Sequence, residues 1–127
     1  MKRKSKSNPP PPFIHRSAVV YISGPMRGCV KYNFPKFNYV ENYLVKTFGC
    51  KVLNPARITD IHVKLWHKGV RGRNKIREFA KHDLDLIFQA SHMFMLVKWE
   101  TSLGATAEFA VARWLNLDIL YEQELIP

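Results

Sequence analysis

Apolar residues follow two rhythms along this chain: short continuous runs, and longer stretches at helical spacing. Ala18–Ser23 is rich in β-branched and aromatic residues and stops at Gly24-Pro25, which predicts a buried first strand. Phe37, Val40, Tyr43, Leu44 and Phe48 recur near the 3.6-residue period and predict a helix over Phe34–Phe48. Asn33 is placed to cap that helix, Pro35 suits its first turn and Gly49 suits its end. Cys50–Leu53 reads as a second strand closed by Asn54-Pro55. Ile76, Ala80, Leu84, Ile87 and Phe88 restore helical spacing over Asn74–Gln89. His92–Val97 reads as a third strand, residues 103–116 as the last full helix and Asp118–Tyr121 as a short final strand. Residues 56–73 fit neither rhythm and read as a long functional loop with about one helical turn.

Strands that alternate with helices predict a parallel sheet covered on both faces. The expected class is α/β: a Rossmann-like three-layer sandwich with a small parallel sheet of four or five strands. Such sheets bind ligands at the carboxyl ends of their strands. Tyr21–Gly24, Asn54-Pro55 and Lys98–Gly104 would gather at that edge.

The chain has 127 residues, enough for one domain with a real core. Residues 1–16, basic, Ser-containing and ending in Pro9–Pro12 and a short connector, read as a flexible leader; residues 17–127 form the expected domain. Two cysteines, Cys29 and Cys50, form no CxxC pair. With no secretory signal or membrane-length apolar run, they read as reduced thiols of a cytoplasmic protein. The net charge of +10 comes from the leader and from Lys64–Lys81. There Lys64, Lys68, Arg71, Arg73, Lys75, Arg77 and Lys81 face one acid, Glu78. That balance favours anionic ligands such as nucleotides and allows weak, sequence-independent contact with nucleic acid.

The chemistry concentrates in Ser102-Leu103-Gly104-Ala105-Thr106-Ala107-Glu108. A carboxylate in the second turn of an otherwise apolar helix is costly to bury, and a chain retains it more readily when it reacts. The surface alternative is a partly exposed helix glutamate. Gly24-Pro25 is neither GxGxxG nor a P-loop, so dinucleotide and ATP sites are not supported. His62, His67, His82 and His92 lack metal-ligand spacing, so no metal or cofactor is expected.

Taken together, Tyr21-Ile22-Ser23-Gly24-Pro25-Met26-Arg27-Gly28, Tyr32-Asn33-Phe34-Pro35-Lys36-Phe37, Asp83-Leu84 and Ser102-Leu103-Gly104 with Glu108 resemble the nucleoside 2-deoxyribosyltransferase superfamily. The superfamily includes the 2′-deoxynucleoside 5′-phosphate N-hydrolases and short phage and bacterial relatives. The resemblance implies a nucleophilic Glu108, an Asp83 that holds or protonates the leaving base, and a Tyr21 that positions Glu108. It implies substrate contacts at Ser23, Gly24, Met26, Arg27, Phe34, Ser102 and Gly104. In the transferases the residue six before the nucleophile is typically an acid that accepts a 5′-hydroxyl. In the nucleotide hydrolases it is a serine, as Ser102 is here. A serine at a helix N-terminus suits an anion, although it also suits a simple cap.

The implied activity is an N-glycosidase acting on 2′-deoxyribonucleoside 5′-monophosphates through a covalent glycosyl-Glu intermediate. Base exchange by the same intermediate is the near alternative. A non-catalytic nucleotide- or nucleic-acid-binding module is the alternative from another class. The resemblance further implies a homo-oligomer whose neighbouring subunit completes the site.

Overall fold

Four parallel strands form the sheet: β1 (Val19–Ser23), β2 (Lys51–Leu53), β3 (His92–Met95) and β4 (Asp118–Tyr121), in the order β2-β1-β3-β4. The computed structural model describes residues 13–57 and 72–126. Four helices accompany the strands: α1 (Phe34–Phe48), α2 (Gly72–Gln89), α3 (Leu103–Trp114) and the short α4 (Glu122–Leu125). β1 lies centrally, pairing Val20 with Val52 on one side and Tyr21 with Met93 on the other.

Side chains alternate across the sheet because successive Cβ atoms point to opposite faces. Val20, Ile22, Phe94, Leu96 and Leu120 pack with Phe37, Val40 and Leu44 of α1 and Leu125 of α4. Tyr21, Met93 and Met95 pack on the opposite face with Ile87 of α2 and Ala112 of α3. The result is the expected α/β three-layer sandwich, with four strands.

The differences from expectation have local causes. Ile14 is 1% exposed and joins the α1-side core, so the ordered core begins inside the expected leader. Asn33 does not cap α1: it has φ 63° and its Nδ2 donates to Pro25 O (2.9 Å). Lys31, Tyr32 and Asn33 are three successive left-handed residues, a conformation non-glycine residues adopt reluctantly. Gly49 does end α1 at φ 68°, its N–H donating to Val45 O. β3 stops at Met95, although Leu96 N–H still donates to Ser23 O. Pro55–Arg57 is a 3₁₀ turn; most of the expected loop at 56–73, including Lys64, Lys68 and Arg71, lies outside the described residues, as do residues 1–12 of the leader. No helix among the described residues is long and apolar enough to cross a membrane.

Gly24 follows β1 at a point where the backbone meets β3. A Cβ there would sit 2.7 Å from Leu96 Cβ, and Leu96 is 1% exposed and cannot swing away. Gly24→Ala is expected to destabilise the fold by about 1–3 kcal/mol through overpacking. Thermal denaturation checks this; an unchanged midpoint would mean that the two segments separate at no cost.

Candidate active site

Residues two apart on a strand share a face, so β1 presents Tyr21 and Ser23 together toward α3. Both are buried, at 0% and 1% exposure, and both hydroxyls meet one carboxylate. Tyr21 Oη donates to Glu108 Oε2 at 3.0 Å, and Ser23 Oγ donates to Glu108 Oε1 at 2.7 Å. Glu108 lies in the second turn of α3, whose N-terminus is set by Ser102. The Ser102 Oγ accepts from Ala105 N–H at 3.1 Å, so Ser102 is a true N-cap. The preceding loop turns at Lys98 (φ 73°) and runs through a 3₁₀ turn, Trp99–Thr101, that delivers Ser102 to the same strand edge.

The third partner comes from α2. The Asp83 carboxyl lies within hydrogen-bonding reach of Glu108. Burial, and then the neighbouring Glu108 charge, push Asp83 up to about 8. Burial also raises Glu108, while bonds from Ser23, Tyr21 and Asp83 pull it back down. Burial and the two nearby carboxyls hold the Tyr21 phenol well above its ordinary range, so it remains a donor. Two carboxyls in one low-dielectric site cannot easily both ionise. The pair therefore tends to share a proton, which burial and the Glu108 charge favour on Asp83, while the donors Tyr21 and Ser23 favour charge on Glu108. This division gives one acid and one nucleophile or base in a single site.

The sequence-predicted residues divide into groups. Glu108, Tyr21, Ser23 and Asp83 come together. Ser23 takes a different part from the expected one, because its hydroxyl is committed to Glu108 instead of an anion. Gly24 has a packing reason of its own, the approach to Leu96. Ser102 and exposed Gly104 open α3, the helix that carries Glu108. Met26 and Phe34 are half-buried on the α1-side core, and Arg27 is exposed. Asp85 is exposed, as a helix-surface acid should be. Trp99 stacks on Phe109 with centroids 4.6 Å apart, bracing the loop against α3. Among the described residues, no group of three or more His, Cys, Asp and Glu side chains is placed to hold a metal ion.

Sequence reasoning missed two polar residues. His82 Nε2, like Oδ1 of the already predicted Asp83, is buried without a hydrogen-bond partner, and His82 enters the sequence reading only as a poor metal ligand. Glu122, 8% exposed, accepts from Val97 N–H at 2.8 Å and from Lys36 Nζ at 2.5 Å. Its signal in the sequence is a carboxylate placed directly after the apolar run Ile119-Leu120-Tyr121.

No curated protein and no solved structure matches the chain. A family model does match, over residues 18–121, which take in all four strands and every residue of the carboxylate cluster. The chain belongs to the family described as a domain of unknown function, DUF4406.

Proposed function

We propose that this protein is an N-glycosidase that hydrolyses 2′-deoxyribonucleoside 5′-monophosphates. The observation that carries the reading is the Glu108–Asp83 pair, in which hydrogen bonds from Tyr21 and Ser23 favour the charged form of Glu108 and burial favours the neutral form of Asp83. Two carboxyl groups with opposed protonation states are what glycosidic cleavage requires. Glu108 attacks C1′ as the bond from C1′ to the base nitrogen breaks through an oxocarbenium-like state. Asp83 gives its proton to the departing base, leaving a deoxyribosyl ester on Glu108. Asp83, now ionised, takes a proton from water as the water oxygen attacks C1′. Glu108 leaves as a carboxylate, and the products are free base and 2-deoxyribose 5-phosphate. The motifs that resemble the nucleoside 2-deoxyribosyltransferase superfamily support the same assignment. A module that only bound nucleotide would gain nothing from placing two carboxyls together, since their repulsion opposes anion binding.

Ser102 supports the monophosphate over the free nucleoside. A hydroxyl and free N–H groups at a helix start accept an anion that a carboxylate would repel. The net charge of +10 favours capture of the same substrate class. Self-association belongs to the reading: Leu103, Ala107, Ala110 and Trp114 form an exposed apolar stripe along α3, with Leu103 89% and Trp114 84% exposed. Cys29 and Cys50 are free thiols, in keeping with a reducing cytoplasm.

Incubation with the four deoxynucleoside monophosphates, followed by detection of free base, tests the activity. No release from any of them overturns it, and transfer of deoxyribose to an added second base would make the enzyme a transferase. Ser102→Asp is expected to move preference from nucleotide to nucleoside by about tenfold or more, while Asp still caps α3. A competition assay with unchanged selectivity would remove Ser102 from the phosphate end.

A further inference from the structure

Glu122 is a buried carboxylate that the proposed chemistry does not use. A charge is kept out of water only when it is paired and hydrogen-bonded. Glu122 satisfies both conditions through two segments that are distant in sequence. Its Oε1 accepts from the backbone N–H of Val97, and its Oε2 binds the Lys36 ammonium.

Those two partners belong to different segments, the loop after β3 and the start of α1. Val97 opens the loop that turns at Lys98 and ends at Ser102. Lys36 is in the first turn of α1, directly after the left-handed segment whose Asn33 holds Pro25. That segment belongs to the loop that carries Met26 and Arg27. One carboxylate therefore ties the Ser102 loop to the base of the Arg27 loop. Glu108 is fixed separately, by Tyr21 and Ser23 of β1, and Glu122 touches neither.

We infer that Glu122 is a positioning residue that sets the spacing of the two loops around the substrate's 5′-phosphate. The inference rests on the N-glycosidase reading for its substrate and on the geometry alone for its loop. Loss of this tie loosens phosphate binding and leaves bond cleavage largely intact, because the nucleophile keeps its own donors.

The test uses Glu122→Ala, which removes the acceptor of Val97 N–H and the partner of Lys36, and Lys36→Met, which leaves the carboxylate in place. Both variants are compared with the whole wild-type chain. Hydrogen exchange at the amides of 97–102 is expected to accelerate by about tenfold or more in Glu122→Ala, without substrate. KM for a deoxynucleoside monophosphate is expected to rise about tenfold in both variants, with kcat within about threefold. The double variant should be no worse than the poorer single one, since one interaction is removed twice.

Unchanged exchange at 97–102 overturns the loop tie, whether or not the protein cleaves nucleotides. Faster exchange with unchanged KM overturns the positioning role, as does a fall in kcat at saturating substrate with KM unchanged. A wild-type protein that releases no base overturns the N-glycosidase reading and the phosphate assignment with it. The exchange result then judges the loop tie alone.

Discussion

Glutamine in place of Glu108 is expected to lower base release from a deoxynucleoside monophosphate by at least about 10³-fold while the protein stays folded. Glutamine preserves the shape and an acceptor oxygen for the buried hydroxyls of Tyr21 and Ser23. It lacks the negative charge that stabilises an oxocarbenium-like state and cannot form the glycosyl ester. Alanine removes the same chemistry but strands two buried hydroxyls. Each stranded group costs about 1–3 kcal/mol, so that variant should also melt earlier. Chromatographic detection of free base, with circular dichroism on the same samples, checks both statements. Turnover near the wild-type rate in the glutamine variant would end the covalent mechanism.

Asparagine in place of Asp83 should slow base release by about 10²–10⁴-fold, because its amide can still hydrogen-bond Glu108 but has no proton to give. The wild-type rate should fall as pH rises through about 8, where Asp83 loses its proton. The residual activity of the asparagine variant should lack that alkaline limb. Stability follows the same linkage. The folded-state value of Asp83 lies above the ordinary 3.8, so the folded protein binds more protons than the unfolded chain between the two values. The stabilisation from a neutral Asp83 is therefore complete at acid pH and lost as pH rises through about 8. Denaturant titrations between the ordinary value of 3.8 and about 8 should show this decline in the wild type and a flatter profile in the variant. Identical slopes would mean that Asp83 does not carry the shared proton.

Much of this was readable in the sequence because the strands are short, apolar and bounded by glycine, proline and asparagine. The limits of α1 and β4 agree with their hydrophobic pattern residue for residue. Glu108 could be named because a carboxylate on an apolar helix stands out, whereas Tyr21 and Asp83 follow from the resemblance that their motifs carry. What pattern cannot supply is the partner of each polar group. Asn33 has the composition of a helix cap, yet its side chain is taken by Pro25 O and its backbone is left-handed. β3 ends before Val97 because the Val97 N–H goes to Glu122 instead of to a neighbouring strand. Ser23 invited an anion-binding role until Glu108 proved to lie on the same side of β1. The four-residue α4 is too short to show a helical period at all.

The hydroxyls of β1 and the carboxylate they hold are 85 and 87 residues apart in the chain. During synthesis at roughly 5–20 residues per second, Tyr21 leaves the ribosome about 4–17 s before Glu108 does. Throughout that interval the central strand has its donors but not their acceptor; β3 is made only near its end and β4 only after it. The nascent chain must keep Val20, Tyr21 and Ile22 from pairing elsewhere until α3 emerges. The bonds from Tyr21 and Ser23 to Glu108 thus wait on the synthesis of residue 108, and a chain interrupted before residue 92 presents an apolar strand edge to whatever chaperone or neighbouring chain reaches it first.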